Sequence, residues 1–159
     1  MSIVIRPREM PVRPDPSAFR VLLRGEQTGG VLSAIEQTLR PKAFITPHTH
    51  ANDVWVQVLS GSVGALVGDE IVIADAGDWI LKPRDVVHAM WNAGELPATI
   101  VELLTPAGSE VWFEKISEIA ADDTEGFQRS CREFGIEFLP DSPWTNKIRE
   151  RFNLSLIHI

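Results

Sequence analysis

The sequence predicts a mainly β fold, a sandwich or barrel of short strands followed by C-terminal helices. From Phe19 to about Phe113, short apolar runs rich in branched and aromatic residues alternate with turn signals. These runs recur at a spacing of roughly 8–12 residues, too close for the crossover helices of a βαβ fold. After Glu114 the apolar spacing changes from that of strands to that of helices.

Taken in order, residues 1–18 contain Pro7, Pro11, Pro14 and Pro16 and read as an extended N-terminal arm, made basic by Arg6, Arg8 and Arg13. The strand candidates are "FRVLLR", "GVLSAIEQTL", "AFITPH", "VWVQVL", "SVGALVG", "EIVIA", "DWILK", "VVHAMWN", "ATIVELL" and "EVWFEK". Between them lie turns at Gly29-Gly30, Pro41-Lys42, Gly61-Ser62, Gly68-Asp69, Gly77-Asp78, Pro83-Arg84-Asp85 and Asn92-Ala93-Gly94. Several runs are apolar at both parities, as expected where one face lines an interior and the other packs on a second layer. Residues 19–114 therefore form the barrel, and residues 115–159 a helical extension packed on it. In that extension "SEIAADDTEGFQRSCREFG" has helical spacing, with Ile119, Phe127, Cys131 and Phe134 as core contacts and Gly135 to end the helix. "IEFLP" reads as a last strand. "SPWTNKIRERFNL" reads as a short helix with Ser142 as N-cap and Pro143 at its first position. The final "SLIHI" is unusually apolar for a tail, and its His158 is read as incidental.

Composition narrows the function. A chain of 159 residues with 44% hydrophobic and 23% charged content suits one domain with a real core. A formal charge of −7 argues against nucleic-acid and anionic-membrane partners. No apolar run approaches the roughly 20 residues of a spanning helix, and the N-terminus lacks the pattern of a secretory signal. The single cysteine, Cys131, excludes an intrachain disulfide and suits a reducing cytoplasm; it is read as a packing residue.

The chemistry concentrates in "ITPHTHANDVWVQVLSG". Side chains at i and i+2 of a strand share a face, so His48 and His50 present two imidazoles side by side. His88, in "GDWILKPRDVVHAMWN", is separated from them by enough chain for the sheet to double back and bring it opposite. Three histidines from two strands make one face of a coordination polyhedron and leave positions open, the mark of catalytic rather than structural sites.

The stretch from Lys42 to Asn92 resembles the cupins. Their first motif, G-x5-H-x-H-x3/4-E-x6-G, is matched by Lys42, His48, His50, Val54 and Gly61. Their second, G-x5-P-x-G-x2-H-x3-N, is matched by Gly77, Pro83, Asp85, His88 and Asn92. Phrases such as "GEQTGGVLSAIEQTLRP" and "LLTPAGSEVWFEKISEI" further resemble small single-domain, quercetin-dioxygenase-like cupins. The resemblance spans residues 19–140 and implies an antiparallel jelly-roll β-barrel, a homodimer with the Pro-rich arm reaching its partner, and a divalent metal on His48, His50 and His88. Three family positions are changed. Lys42 and Asp85 stand where turn glycines belong, which bends loops without abolishing a site. Val54 stands where the family has its carboxylate ligand, and valine binds no metal. Asp53 is adjacent, but strand alternation points it the other way unless a bulge intervenes.

Losing that carboxylate leaves a divalent ion with its full charge on three neutral imidazoles, favouring an anionic, enolisable or aromatic small-molecule substrate. The resemblance then implies a metal-dependent oxidoreductase, a non-haem dioxygenase with Fe(II) as the favoured metal and Ni, Mn, Cu or Zn as the others. The competing readings are a metal-assisted isomerase or cyclase without oxygen, and a non-catalytic ligand-binding cupin. Glu102, in "TIVELL", is the candidate catalytic base if its parity points inward. Trp55, Trp79, Trp91 and Trp112 are read as core, and Gln57 as an inter-strand partner.

Overall fold

The computed structural model describes residues 5–12 and 19–156. His158 and most of the Pro-rich arm lie outside them; within the arm, Pro7–Glu9 makes one 3-10 turn. Two sheets face each other. The first runs in the order β1 (Phe19–Leu23), β2 (Ser33–Leu39), β9 (Ala98–Thr105), β4 (Asp53–Ser60), β7 (Trp79–Lys82). The second runs β10 (Glu137–Phe138), β3 (Ala43–Thr49), β8 (His88–Asn92), β5 (Ser62–Val67), β6 (Glu70–Asp75). Every pair on these two paths is antiparallel. The architecture is the jelly roll the sequence predicts.

Strand alternation builds the interior. On β4 Val54, Val56 and Val58 are buried while Trp55 and Leu59 face solvent. They meet Ile35, Ile100 and, from the opposite sheet, Val63, Ala65 and Met90 in one core between the layers. At roughly 1.5–3 kcal/mol for each fully buried large apolar side chain, this layer dominates the stability. The second sheet is apolar on both faces because a second layer covers its back. There Phe44, Leu66, Ala89 and Trp91 pack under Ile148 of helix α3 (Pro143–Phe152) and Leu154. Trp91 lies so close across β5 that a Cβ on Gly64 would meet its indole at 2.0 Å, so only glycine fits there. The tail has a structural role too: Ser155–Leu156 (β11) adds to β3 as a parallel pair.

Two readings of the sequence need correction. "EVWFEK" is not a strand but helix α1 (Ser109–Ile116). Trp112 and Ile116, four apart, share its buried face, and the Glu110 carboxylate accepts from Gly25 N (2.8 Å) and Gly108 N (2.6 Å), fixing its start. Trp55 and Trp79 are not core either. At 44% and 52% exposure they sit on the outer face of the first sheet, whereas Trp91 and Trp112 are buried. Gln57 shares that outer face, in register with Trp79 and Val101.

A third reading is narrowed: of the stretch 117–135 read as helical, only Thr124–Glu133 (α2) is helix, capped by Asp123 accepting from Gly126 N at 2.8 Å, while 117–123 form turns between α1 and α2. Ile119, Phe127, Cys131 and Phe134 all join the cluster around Trp112, Ile116 and Ile136. Ser142 caps α3 with Pro143 at its start, as its sequence predicts. No helix among the described residues is long and apolar enough to cross a membrane.

Lys42 and Asp85 hold the backbone that glycine would hold, with φ of 64° and 60°. For a side chain with a Cβ that conformation costs about 1–2 kcal/mol, and a short polar side chain such as Asp bears it better than Lys does. The Lys42–Glu95 ion pair (2.8 Å) is exposed at Glu95 and offsets little of this. Lys42→Gly is therefore expected to raise the calorimetric melting temperature by about 2–4 °C; an unchanged or lower value would refute the strain.

Candidate metal centre

His48 ends its run on β3, where the ladder to β8 is irregular between Ile45 and His48 and then pairs His48 with His88. His50 follows two residues on. Its main chain is fixed by the Pro83-Arg84-Asp85 turn, whose Asp85 N–H donates to His50 O at 2.9 Å. Asn92, the last motif residue, ties the end of β8 down: its Nδ2 donates to Leu39 O (2.9 Å) and Leu96 O (2.8 Å), and its Oδ1 accepts from Gly94 N. Local loop chemistry thus aims three rings at one point.

Each ring is oriented the same way. The Nδ1 of His48 lies 2.8 Å from Thr46 O, that of His50 2.8 Å from Asn52 O, and that of His88 2.8 Å from Val86 O. A carbonyl oxygen only accepts, so every Nδ1 carries the proton and every Nε2 keeps its lone pair. The Nε2 atoms of His48 and His88 stand 3.0 Å apart, and the ligand atoms of all three rings lie within 4.8 Å of one another. The buried Nε2 of His50 has no hydrogen-bond partner. Lone pairs aimed at one another repel unless a cation sits among them.

A proton is a poor candidate for that cation. Burial, followed by the nearby Lys82 charge, pushes His48 down to about 3 and His50 down to about 4. His88 is driven lower still, by burial and then by His48. A divalent metal fits this donor set: three neutral imidazoles, each held by a backbone carbonyl in the way ligating histidines are held.

The same shifts predict a pH dependence for the metal-free protein. Unfolded chains protonate these imidazoles near pH 6.5, whereas the folded site stays neutral down to about 4 at His50 and about 3 at His48. Their contribution is complete above the unfolded value and is lost as pH falls below it, by up to ~1.4 kcal/mol per pH unit per histidine. Urea melts of metal-free protein at pH 7 and pH 5 check this; equal midpoints would refute it.

The neighbouring candidates divide cleanly. Val54 is buried and lines the same cavity as His48 and His50 but brings only carbon. Asp53 points away, held by Arg84 through the backbone N (2.9 Å) and Nη2 (2.8 Å), which also lowers its carboxyl below its ordinary value. Glu102 does point inward. It is 3% exposed and accepts from Lys82 Nζ at 2.5 Å.

Sequence reasoning missed Lys82, Gln37 and Asn52, all buried and all lining this cavity of about 40 Å³. On the scale where one water takes about 10–15 Å³, the space admits only a few atoms beside the rings. One signal was available for Lys82, since "WILK" gives it the parity of buried Ile80. The opposite wall is apolar: Ile136 and Phe138 come from the C-terminal extension, and the Phe138 ring stacks on His48 at 5.0 Å.

Comparison with known proteins agrees with this construction. Residues 35–104 match the family model described as Cupin domain. No curated protein sequence matches the chain. Among solved structures it is similar to KdgF from Halomonas sp., with a TM-score of 0.62 and 17% identity over 70% of this chain and 99% of that one. It is similar to the polyketide cyclase RemF from Streptomyces resistomycificus, with a TM-score of 0.57 and 18% identity over 66% and 80%. A third likeness is to a predicted oxalate decarboxylase from Thermotoga maritima, with a TM-score of 0.61 and 18% identity over 65% and 99%. Likeness at these identities establishes the fold, a cupin jelly roll, and leaves the reaction to be argued from the site.

Proposed function

We propose, from the premise that residues 35–104 of this chain match the cupin domain model, that it is a metal-dependent enzyme acting on a small enolisable or aromatic substrate bound as an anion. The observation that carries the reading is the convergence of three Nε2 lone pairs whose Nδ1 partners are all backbone carbonyls. His48, His50 and His88 would hold the metal, with Fe(II) favoured over Ni, Mn, Cu or Zn. When bound, such a metal supplies Lewis-acid polarisation of an enolate and, as iron, redox chemistry with dioxygen.

The protein's own contribution is electrostatic and steric. The three imidazoles are neutral and Val54 adds no charge, so nothing in the ligand set offsets a divalent cation. An anion is drawn to it more strongly than in a site containing a carboxylate. Burial excludes bulk water, and Phe138 and Ile136 close an apolar wall beside the rings. Dioxygenase activity is the leading form of the reaction. The Lys82–Glu102 pair favours a second form, an isomerase or cyclase in which Glu102 takes a proton and no oxygen is used.

Elemental analysis after expression in metal-supplemented medium, followed by oxygen-electrode assays with pentane-2,4-dione and related enolisable probes, tests this. One metal per chain and iron-dependent oxygen uptake are the expected results. Metal retention with deuterium exchange at the probe's α-carbon but no uptake would select the isomerase form, and a chain that takes up no metal would leave only a ligand-binding role. We also propose that the chain acts as a homodimer, supported by the exposed Trp55, Trp79 and Leu81 on the outer face of the first sheet.

A further inference from the structure

Strands β2, β7 and β9 and the bend before β4 carry an ion pair and two amides that holding a metal does not require. Lys82 and Glu102, with side chains 6% and 4% exposed, sit on β7 and β9 and flank β4. In the ladders Lys82 is paired with Val54 and Glu102 with Val56, so both reach into the same interior layer. A buried ion pair is weak evidence of stability, since apolar residues of similar volume serve as well or better. Its retention in a cavity asks for another reason.

The surrounding polar atoms supply one. Gln37 Oε1 and Asn52 Nδ2 line the cavity with no hydrogen-bond partner, at residues only 2% and 4% exposed. The Asn52 orientation is fixed by Ser109, whose hydroxyl donates to Oδ1 at 3.2 Å and leaves the amide N–H group free. An ammonium carries three donors, and Glu102 takes one from Lys82. An unsatisfied buried donor, an unsatisfied buried acceptor and a cation with donors to spare therefore share one small cavity with His48 and His50. Groups left unpaired at such depth are costly unless a ligand completes them.

We propose that these residues form an acid-recognition subsite: Lys82 and Asn52 donate to the carboxylate of a small hydroxy acid, and Gln37 Oε1 accepts from its hydroxyl. The cavity's size limits the ligand to a few heavy atoms beside the metal. Glu102 balances Lys82 when no ligand is present, so the acid is held by hydrogen bonds of a paired cation rather than by an isolated charge. This inference rests on the metal reading above for its second anchor, the face of the three imidazoles; it keeps the anionic ligand and assigns a small hydroxy acid in place of the enolisable or aromatic classes.

The test uses zinc-loaded full-length protein, redox-inert, with glycolate as probe and glycolamide as its neutral analogue. The variant is the double replacement Lys82→Met with Glu102→Gln, which removes both charges together and leaves the histidines in place. Zinc content is measured on every sample, with calorimetric titration for binding. The expected result is that the variant keeps its zinc and binds glycolate roughly tenfold to a hundredfold more weakly, while wild type prefers glycolate to glycolamide. Equal glycolate affinity in a zinc-replete variant overturns the subsite and leaves the metal reading standing. So does equal binding of glycolamide, or no binding of glycolate to zinc-loaded wild type. If wild type takes up no zinc the metal reading falls by itself. The subsite then stands if glycolate binds metal-free wild type but not the variant, and falls otherwise.

Discussion

His88→Ala is expected to lose metal almost completely, with affinity falling by more than about a hundredfold. Removing a single outer partner of a ligating histidine costs roughly 10–100-fold, and this change removes the ligand itself. His88 is fully buried and its Nε2 is the neighbour of the His48 Nε2 at 3.0 Å, and among the described residues only His50 completes a metal-ligating group with them. Stability without metal should move far less than for an ordinary core deletion, because the change also removes the repulsion between two facing lone pairs. Elemental analysis and calorimetry of wild type and variant, each with and without metal, read both effects. A variant retaining full metal content would remove the basis of the site.

Lys82→Met alone should be strongly damaging in the metal-free fold. It leaves the Glu102 carboxylate buried with its cation gone, a change that typically costs about 3–5 kcal/mol. For a chain of this size that corresponds to a melting temperature lower by roughly 10–15 °C. Adding Glu102→Gln should restore most of the loss, because the amide needs no counter-charge. A single variant that melts with wild type would show that the pair is not a buried charge pair. A double variant no better than the single would assign the loss to packing.

The two findings differ in how far they could be read from the chain. His48 and His50 were legible because a period of two is local, and His88 because motif spacing fixed its strand. The barrel was legible because short apolar runs recur at close spacing, and Gly61, Gly77, Pro83 and Asn92 mark turns by their own chemistry. Lys82 was not legible as a site residue. Its partner lies on a strand two places away in the sheet, and only the register that pairs β7 and β9 with β4 places them together. Trp55 and Trp79 misled because aromatic side chains signal burial in general, whereas parity puts these two on an outer face. "EVWFEK" misled because six residues are too few to separate a period of two from one of 3.6. The register also complicates Val54→Glu. A carboxylate there adds a metal ligand, but it would also stand opposite Lys82 in the ladder, and the two attractions compete.

Phe138 stacks on His48 across a long interval of sequence, held by two ladder pairs to β3 and by Leu139 N–H donating to Pro47 O at 2.7 Å. During synthesis, the strands bearing all three histidines leave the ribosome before this wall exists. On the nascent chain those imidazoles are expected to stay open to solvent and ions until that wall docks. After Ile136 and Phe138 dock, they wall one side of the cavity and cover His48, which narrows the approach to the rings. Loosening that wall, as read by faster amide hydrogen exchange at residues 136–139, should then be accompanied by faster exchange of a bound ion in the mature protein.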